Sequence, residues 1–320
     1  MNKRGIFLTV STVAITCISV FVGPECINPF HLSPVDRTIL FSLRLPRTVV
    51  AFLMGASLGV SGAVLQGFLR NPLADPYILG LSGGAALLAT GGILLGSTAL
   101  GLFTIPLFAF TGAILTGAVV GMLAYRRGGL LPERLLLAGV GLGFLFSAVL
   151  MLMMSLSSNE GLRRAIQWIF GDLSMADWSL IPYAVVVMAV GFGLTLWRTK
   201  ALNALMLGDE IAYSLGFTPF KERLILFISV CLMTASSVSL GGIVGFIGLL
   251  IPHIVRFFVG SDASVVIPMS ALAGGAMLSV ADTIGRTILA PMELPSGIVT
   301  AIIGAPYFLI LLRRREILGG

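Results

Sequence analysis

The chain has 320 residues, 57% of them hydrophobic and only 11% charged, where soluble domains carry about 25% charge. A mean hydropathy of +1.04 excludes a water-soluble globular domain and makes lipid the main solvent. The net charge of +6 does not point to nucleic acid, because the basic residues lie between apolar runs and form no single patch.

In chain order, ten apolar segments come close to the roughly 20 residues that cross a bilayer as a helix. They are 6–23, 46–69, 77–95, 102–125, 135–156, 178–197, 224–240, 243–259, 265–289 and 298–312. The first follows Lys3 and Arg4 and imitates a signal peptide. Its apolar run is long and no A-x-A site follows, so it is expected to be a retained span. Backbone groups in lipid must pair internally, which makes every span a helix. The seventh and eighth are separated only by "SLGG", with Gly241 and Gly242 as the expected turn. An echo between "LSGGAALL" (81–88) and "LAGGAMLS" (272–279) hints at an internal repeat.

An even number of spans puts both termini on one side. Lys3, Arg4 and Arg313 to Arg315 make that side cytoplasmic, and 14 of the 20 Lys and Arg residues then fall inside. Residues 161–170, "GLRRAIQWIF", lie outside as a short surface helix. Residues 202–215 lie inside, where Gly208 and Gly216 break them into two short helices. That segment either lies flat in the headgroups or meets a protein partner. Asp209 and Glu210 favour the partner, since acidic side chains are poorly placed on an anionic leaflet.

Chemistry-bearing motifs are sparse. No lysine follows a glycine as a P-loop requires, so any driving nucleotide belongs to a separate subunit. Cys17, Cys26, Cys231, His31 and His253 have no metal-ligand spacing. "GVSG" (59–62) offers Ser61 as a nucleophile with His253 as base, the remote reading of an intramembrane serine protease; the bland reading is a small-residue packing face with Gly55. Asp282 is the main ionisable residue inside a span. It is expected to pair with Arg286 at i+4, and an ion-coupled secondary transporter remains the alternative that such a carboxylate keeps open. Arg44 and Arg47, in "RLPR", and Arg286 fall at the outer ends of their spans. They serve either interfacial snorkelling or the docking of an acidic partner.

"LRLPRTVVAFLMGASLGVSGAVLQGFLRNPLADPYILGLSGGAAL" (43–87), "GGIVGFIGLLIPHIVRFFVGSD" (241–262) and "LPSGIVTAIIGAPYFLILLRR" (294–314) resemble the three signatures of the iron-chelate and cobalamin permeases of ABC importers. "LNALMLGDEIAYSLG" (202–216) looks like their cytoplasmic coupling segment. The resemblance implies a single all-α permease domain over 1–320 with the ten-helix type II importer fold, sitting in a bacterial or archaeal inner membrane. It implies a homodimer with two ATPase subunits and an extracytoplasmic binding protein. ATP and Mg would be used by the ATPase, with no cofactor or metal bound by this chain. Ferric siderophore is the first cargo, with haem and cobalamin as alternatives. By position, Arg44, Arg47 and Arg286 match the docking arginines, and Leu207, Gly208, Asp209, Glu210 and Leu215 match the coupling contacts. Ser82, Gly83, Gly84, Gly141 and Ser147 are the resemblance's candidates for the translocation path.

Overall fold

The computed structural model describes residues 3–24, 33–126 and 129–318. Cys26, His31 and Arg127 lie outside these, as do the side chains of Lys3, Arg4 and Arg313 to Arg315. The helices are α1 (Lys3–Phe21), α2 (Pro34–Thr38), α3 (Leu45–Phe68), α4 (Leu81–Leu94), α5 (Thr104–Ala124), α6 (Pro132–Ser155), α7 (Asn159–Ile169), α8 (Ile181–Trp197), α9 (Thr199–Leu207), α10 (Asp209–Ser214), α11 (Pro219–Gly241), α12 (Ile247–Val259), α13 (Ala263–Thr287) and α14 (Ser296–Leu318). A π-helical turn, Ile39–Arg44, joins α2 to α3 without a break. A two-residue hairpin, Tyr125–Arg126 with Gly129–Leu130, follows α5.

Among the described residues, five stretches are long and apolar enough to cross a membrane: Pro34–Phe68, Gly101–Ala124, Pro132–Ser155, Pro219–Gly241 and Ala263–Thr287. The pair α8 and α9, bent by 57°, makes a sixth. The other expected spans correspond to shorter apolar helices. Two of these depart from the sequence reading in kind. Segment 77–95 begins as a 3-10 turn, Pro76–Leu79, and then passes through Gly80 at φ 74° before α4 starts. Segment 243–259 has no helix before Ile247, and its lead-in runs through Gly242 at φ 76° and Phe246 at φ 70°. At 1.5 Å per residue α4 and α12 are about 20 Å long, well short of the roughly 30 Å hydrocarbon core. Both are half-spans entered by irregular backbone. The turn expected at Gly241 and Gly242 does end α11.

The two irregular entries meet, and side chains take over the backbone's hydrogen bonds. Gly248 in the first turn of α12 sits against Asp75 and Pro76. The amide N–H of Val244 donates to the Tyr77 hydroxyl (3.3 Å), and the Asp75 carboxylate accepts from the Tyr77 amide (2.9 Å). Pro252 lies inside α12 and has no N–H to give the Gly248 carbonyl four residues back. Gln66 of α3 supplies that donor: its Nε2 reaches the carbonyls of Gly248 and Leu249, each at 3.1 Å, and of Ala74 at 3.3 Å. Arg256 donates to Gln66 Oε1, which fixes the amide's orientation, and also to the Ala63 carbonyl.

Helix α3 is the axis of the bundle. Its small-residue face, Gly55, Gly59 and Gly62, lies against the carbonyls of Gly274 and Ser270 in α13 and of Gly248 in α12, leaving no room for a Cβ at any of the three. Gly84 of α4 and Gly112 of α5 meet in the same way. The two octapeptides that echo each other do not pack alike: the fourth residue of the first, Gly84, meets the backbone of α5, whereas in the second it is the third residue, Gly274, that meets the backbone of α3 and the fourth, Gly275, that meets the Phe52 ring.

Replacing Gln66 by leucine strands the Gly248 carbonyl and removes the acceptor of Arg256. We expect a loss of about 3 kcal/mol, from a typical 1–3 kcal/mol for each buried group left unpaired. Thermal unfolding of the detergent-purified chain measures it; an unaltered melting temperature would show that the half-spans do not depend on this amide.

Candidate functional site

Three groups of residues carry the functional expectations, one at each end of the bundle and one along α4 and α6. At the end where α3 begins, Arg47 is locked in an ion cluster. Its Nε lies 3.0 Å from both oxygens of Asp282, its Nη2 is 2.9 Å from Oδ1, and its Nη1 is 2.6 Å from Glu293 Oε2. Ser296 Oγ donates to the same Asp282 oxygen at 3.0 Å. The Asp282 side chain is 2% exposed and that of Arg47 is 12% exposed. The expected Asp282–Arg286 pair along one helix does not form. A guanidinium from α3 offers the carboxylate several donors at once, and Arg286 turns to α1 instead.

Arg44 and Arg286 are not surface cations, which corrects the three-arginine docking surface. Both are buried. Arg44 Nη1 donates to the Phe21 carbonyl at 2.9 Å, and Arg286 Nη2 donates to the Ser19 carbonyl and, at 3.1 Å, to Thr283 Oγ1. Phe21 is the last residue of α1, whose final carbonyls have no helical donors. Two arginines supply them and also complement the negative end of the helix dipole. Of the three, Arg47 alone reaches the rim. With Glu293, Arg163, Gln167 and Asp172 it lines a polar pocket of about 320 Å³.

At the opposite end, α9 and α10 form the expected pair of short helices. Gly208, at φ 135° and ψ 162°, breaks them apart, and Gly216 at φ 84° ends the second. The face of α9 made by Ala201, Leu202, Ala204 and Leu205 is buried. Leu202 fills the space above Gly67 of α3. The other side projects: Leu207 is 66% exposed and Leu215, Ile211 and Glu210 are also exposed. Tyr213, 73% exposed, belongs to the same knob and was missed from the sequence; a lone aromatic in an acidic, non-spanning segment was the available signal. Asp209 has a different place from that expected. Its carboxylate takes Arg223 at 2.8 and 2.5 Å and Arg70 at 3.4 Å, so it ties α10 to the start of α11 and the end of α3. It fixes the knob rather than standing free on it.

Between the ends, α6 is nearly bare: Leu135 and Gly139 are the buried residues among its 24. Gly141 has open space where a side chain would be, and Ser147 is exposed on the same helix. Ser82 and Gly83 of α4 are half-buried, with Gly83 close to the Phe146 ring of α6. Gly84 departs from the expected path, since it is buried against Gly112 and Thr116 of α5. Ser61 is fully buried with its Oγ unpartnered among the described residues, on the face where Gly59 and Gly62 pack against α12 and α13, which is the packing role rather than the nucleophile's. Asp282 is likewise held by Arg47 and Ser296 and is not an isolated carboxylate of the kind an ion-coupled carrier uses.

Residues 9–314 match a family model described as the FecCD transport family. The chain is 41% identical over 288 residues to the cobalamin import system permease protein BtuC of Halobacterium salinarum, covering 90% of this chain and 77% of that one. It is 38% identical over 283 residues to the hemin transport system permease protein HmuU of Yersinia pestis, covering 87% and 84%. A solved inward-facing metal-chelate type ABC transporter superposes with a TM-score of 0.88 at 31% identity, covering 98% of this chain and all of that one.

The ion cluster sets a testable asymmetry. Arg47→Ala leaves Asp282 buried without its cation and should destabilise the chain by about 3 kcal/mol. Glu293→Gln, at the solvent-facing side of the same arginine, should cost under about 1 kcal/mol. Melting temperatures of the two variants in the same detergent decide it, and equal losses would mean that the cluster acts as a surface pair.

Proposed function

The chain belongs to the FecCD transport family, and from that premise we propose that it is the membrane-spanning subunit of an ATP-driven importer for a metal chelate. A ferric siderophore is the first candidate cargo, with haem and cobalamin next, as the names of its relatives suggest. In this reading all ten apolar segments traverse or enter the inner membrane, with both termini and the α9–α10 knob in the cytoplasm. Two copies pair through the bare faces of α6 and α14, and the path runs between them past Ser82, Gly83, Gly141 and Ser147. Small and apolar walls suit conduction, because a cargo that must leave quickly cannot be held by a tight site. The chain itself uses no nucleotide; separate ATPase subunits take ATP and Mg.

The observation that carries this reading is the knob. Leu207, Ile211, Tyr213 and Leu215 expose apolar surface on two short helices whose other face is packed on α3 and clamped through Asp209. A rigidly mounted apolar projection outside the spans is what a second subunit can grip and move. An extracytoplasmic binding protein docks at the other end, at the pocket that Arg163, Gln167 and Glu293 line beside the paired Arg47.

The test pairs binding with transport. Leu207→Glu combined with Leu215→Glu should abolish co-purification of the ATPase subunit while leaving the melting temperature of the chain within about 2 °C, because both side chains are exposed surface positions. The wild-type complex in liposomes, supplied with its binding protein, should take up one of radiolabelled ferric siderophore, haem or cobalamin only when ATP is enclosed. Uptake driven by a proton gradient without ATP would overturn the proposal.

A further inference from the structure

One side chain on α9 makes contacts that the coupling role of the knob does not explain. Asn203 faces the start of α13. Its Nδ2 donates to Asp262 Oδ1 at 2.9 Å, and its Oδ1 accepts from the Ala263 amide at 2.9 Å. Asp262 is the N-cap of α13: the same oxygen accepts from the Ser264 amide (2.9 Å) and the Ser264 hydroxyl (2.8 Å). Asn203 thus engages both the capping carboxylate and the first free N–H of the helix, two groups that every helix must satisfy somehow. Here they are satisfied from another helix. The bond from Asn203 is the leading reason that the Asp262 carboxyl sits below its usual range.

Helix α13 then runs 25 residues to the far end of the bundle. Along the way it is fitted to α3 without intervening side chains, Gly274 against Gly55 and Ser270 against Gly59. It finishes in the Arg47–Asp282–Ser296 cluster and in Arg286, which holds the end of α1. Close backbone packing transmits displacement, because at Gly55 and Gly59 the two backbones touch directly. The other polar and apolar mounts of the knob reach α3 and α11 first: Leu202 lies against α3, and Asp209 ties to α11 and the end of α3.

We propose that Asn203 is the joint through which movement of α9 and α10 is delivered to α13 and along it to the ion cluster at the opposite end. Asn203 is a positioning residue in this role; it touches neither nucleotide nor cargo. The inference rests on the reading that an ATPase grips α9 and α10. The joint is specific in chemistry as well as place. An aspartate at 203 keeps the size but loses the donor and sets two carboxylates face to face. Exchanging the pair, so that 203 becomes Asp and 262 becomes Asn, restores one donor and two acceptors with the direction of one bond reversed. The exchanged residue at 262 still caps α13, since asparagine is as good an N-cap as aspartate.

The experiment uses the complex of the chain with its ATPase subunit, reconstituted in liposomes. Nitroxide labels are placed through Leu100→Cys and Met292→Cys, both exposed beyond the ends of spans, in a Cys17→Ser, Cys26→Ser background. Without any cargo, adding Mg-ATP with vanadate should shift the label–label distance in the wild type. Asn203→Asp should abolish that shift while ATP hydrolysis stays within about two-fold, and the Asn203→Asp, Asp262→Asn pair should restore it. A normal shift in Asn203→Asp, or no recovery in the exchanged pair, overturns the joint. A wild-type chain that captures no ATPase sinks the functional reading and the joint together, whereas a wild-type complex that moves normally beside an Asn203→Asp complex that also moves normally sinks the joint alone.

Discussion

A backbone that leaves the helix inside lipid must find hydrogen bonds from side chains, because no water is there to supply them. Among the described residues, the entries to α4 and α12, which meet beside α3, show how this is done. Pro252 removes the donor that the Gly248 carbonyl would have had, and Gln66 returns it from a neighbouring helix. Tyr77 accepts the Val244 amide and Asp75 accepts that of Tyr77. Two half-spans can therefore exist in the interior of the bundle, and each frees the other half of its path for irregular backbone. Everything about the arrangement of α3, α4, α12 and α13 follows from that mutual support and from glycines that let the backbones approach.

The charged residues follow the same rule. Cations that read in sequence as an outward-facing surface are drawn inward to carbonyls left open at the end of α1, and a carboxylate that reads as half of a local pair is taken by an arginine from another helix. Each satisfies a group whose isolation in a low-dielectric interior would cost more than any surface contact could return. At one end Glu293 stays 44% exposed beside the nearly buried Arg47, and at the other the α9–α10 knob projects.

The knob and the ion cluster are joined by α13, a single helix packed glycine to carbonyl on the bundle's axis. Stiffness comes from close packing at Gly55, Gly59 and Gly274, and attachment comes from directional hydrogen bonds at Asn203. Movement at one end has a physical route to the other, made of contacts that are short and few.

The sequence by itself determined the solvent, the helical class, the break of the segment after α8 at Gly208, the end of α11 at Gly241 and the family, because hydropathy, glycine punctuation and contiguous signatures are local properties. It also picked out the small-residue face of α3, since spacing alone puts Gly55, Gly59 and Gly62 together. Only the tertiary structure decided that segments 77–95 and 243–259 are half-spans, because their hydropathy is the same whether the backbone is helical or irregular, and the irregular lead-in of the second is held by Tyr77, a hydroxyl far away in sequence. Only it decided the partners of Arg44, Arg47, Asp209, Asp282 and Arg286. Long charged side chains choose among acceptors brought close by folding, and no spacing within one helix records which acceptor lies on the next.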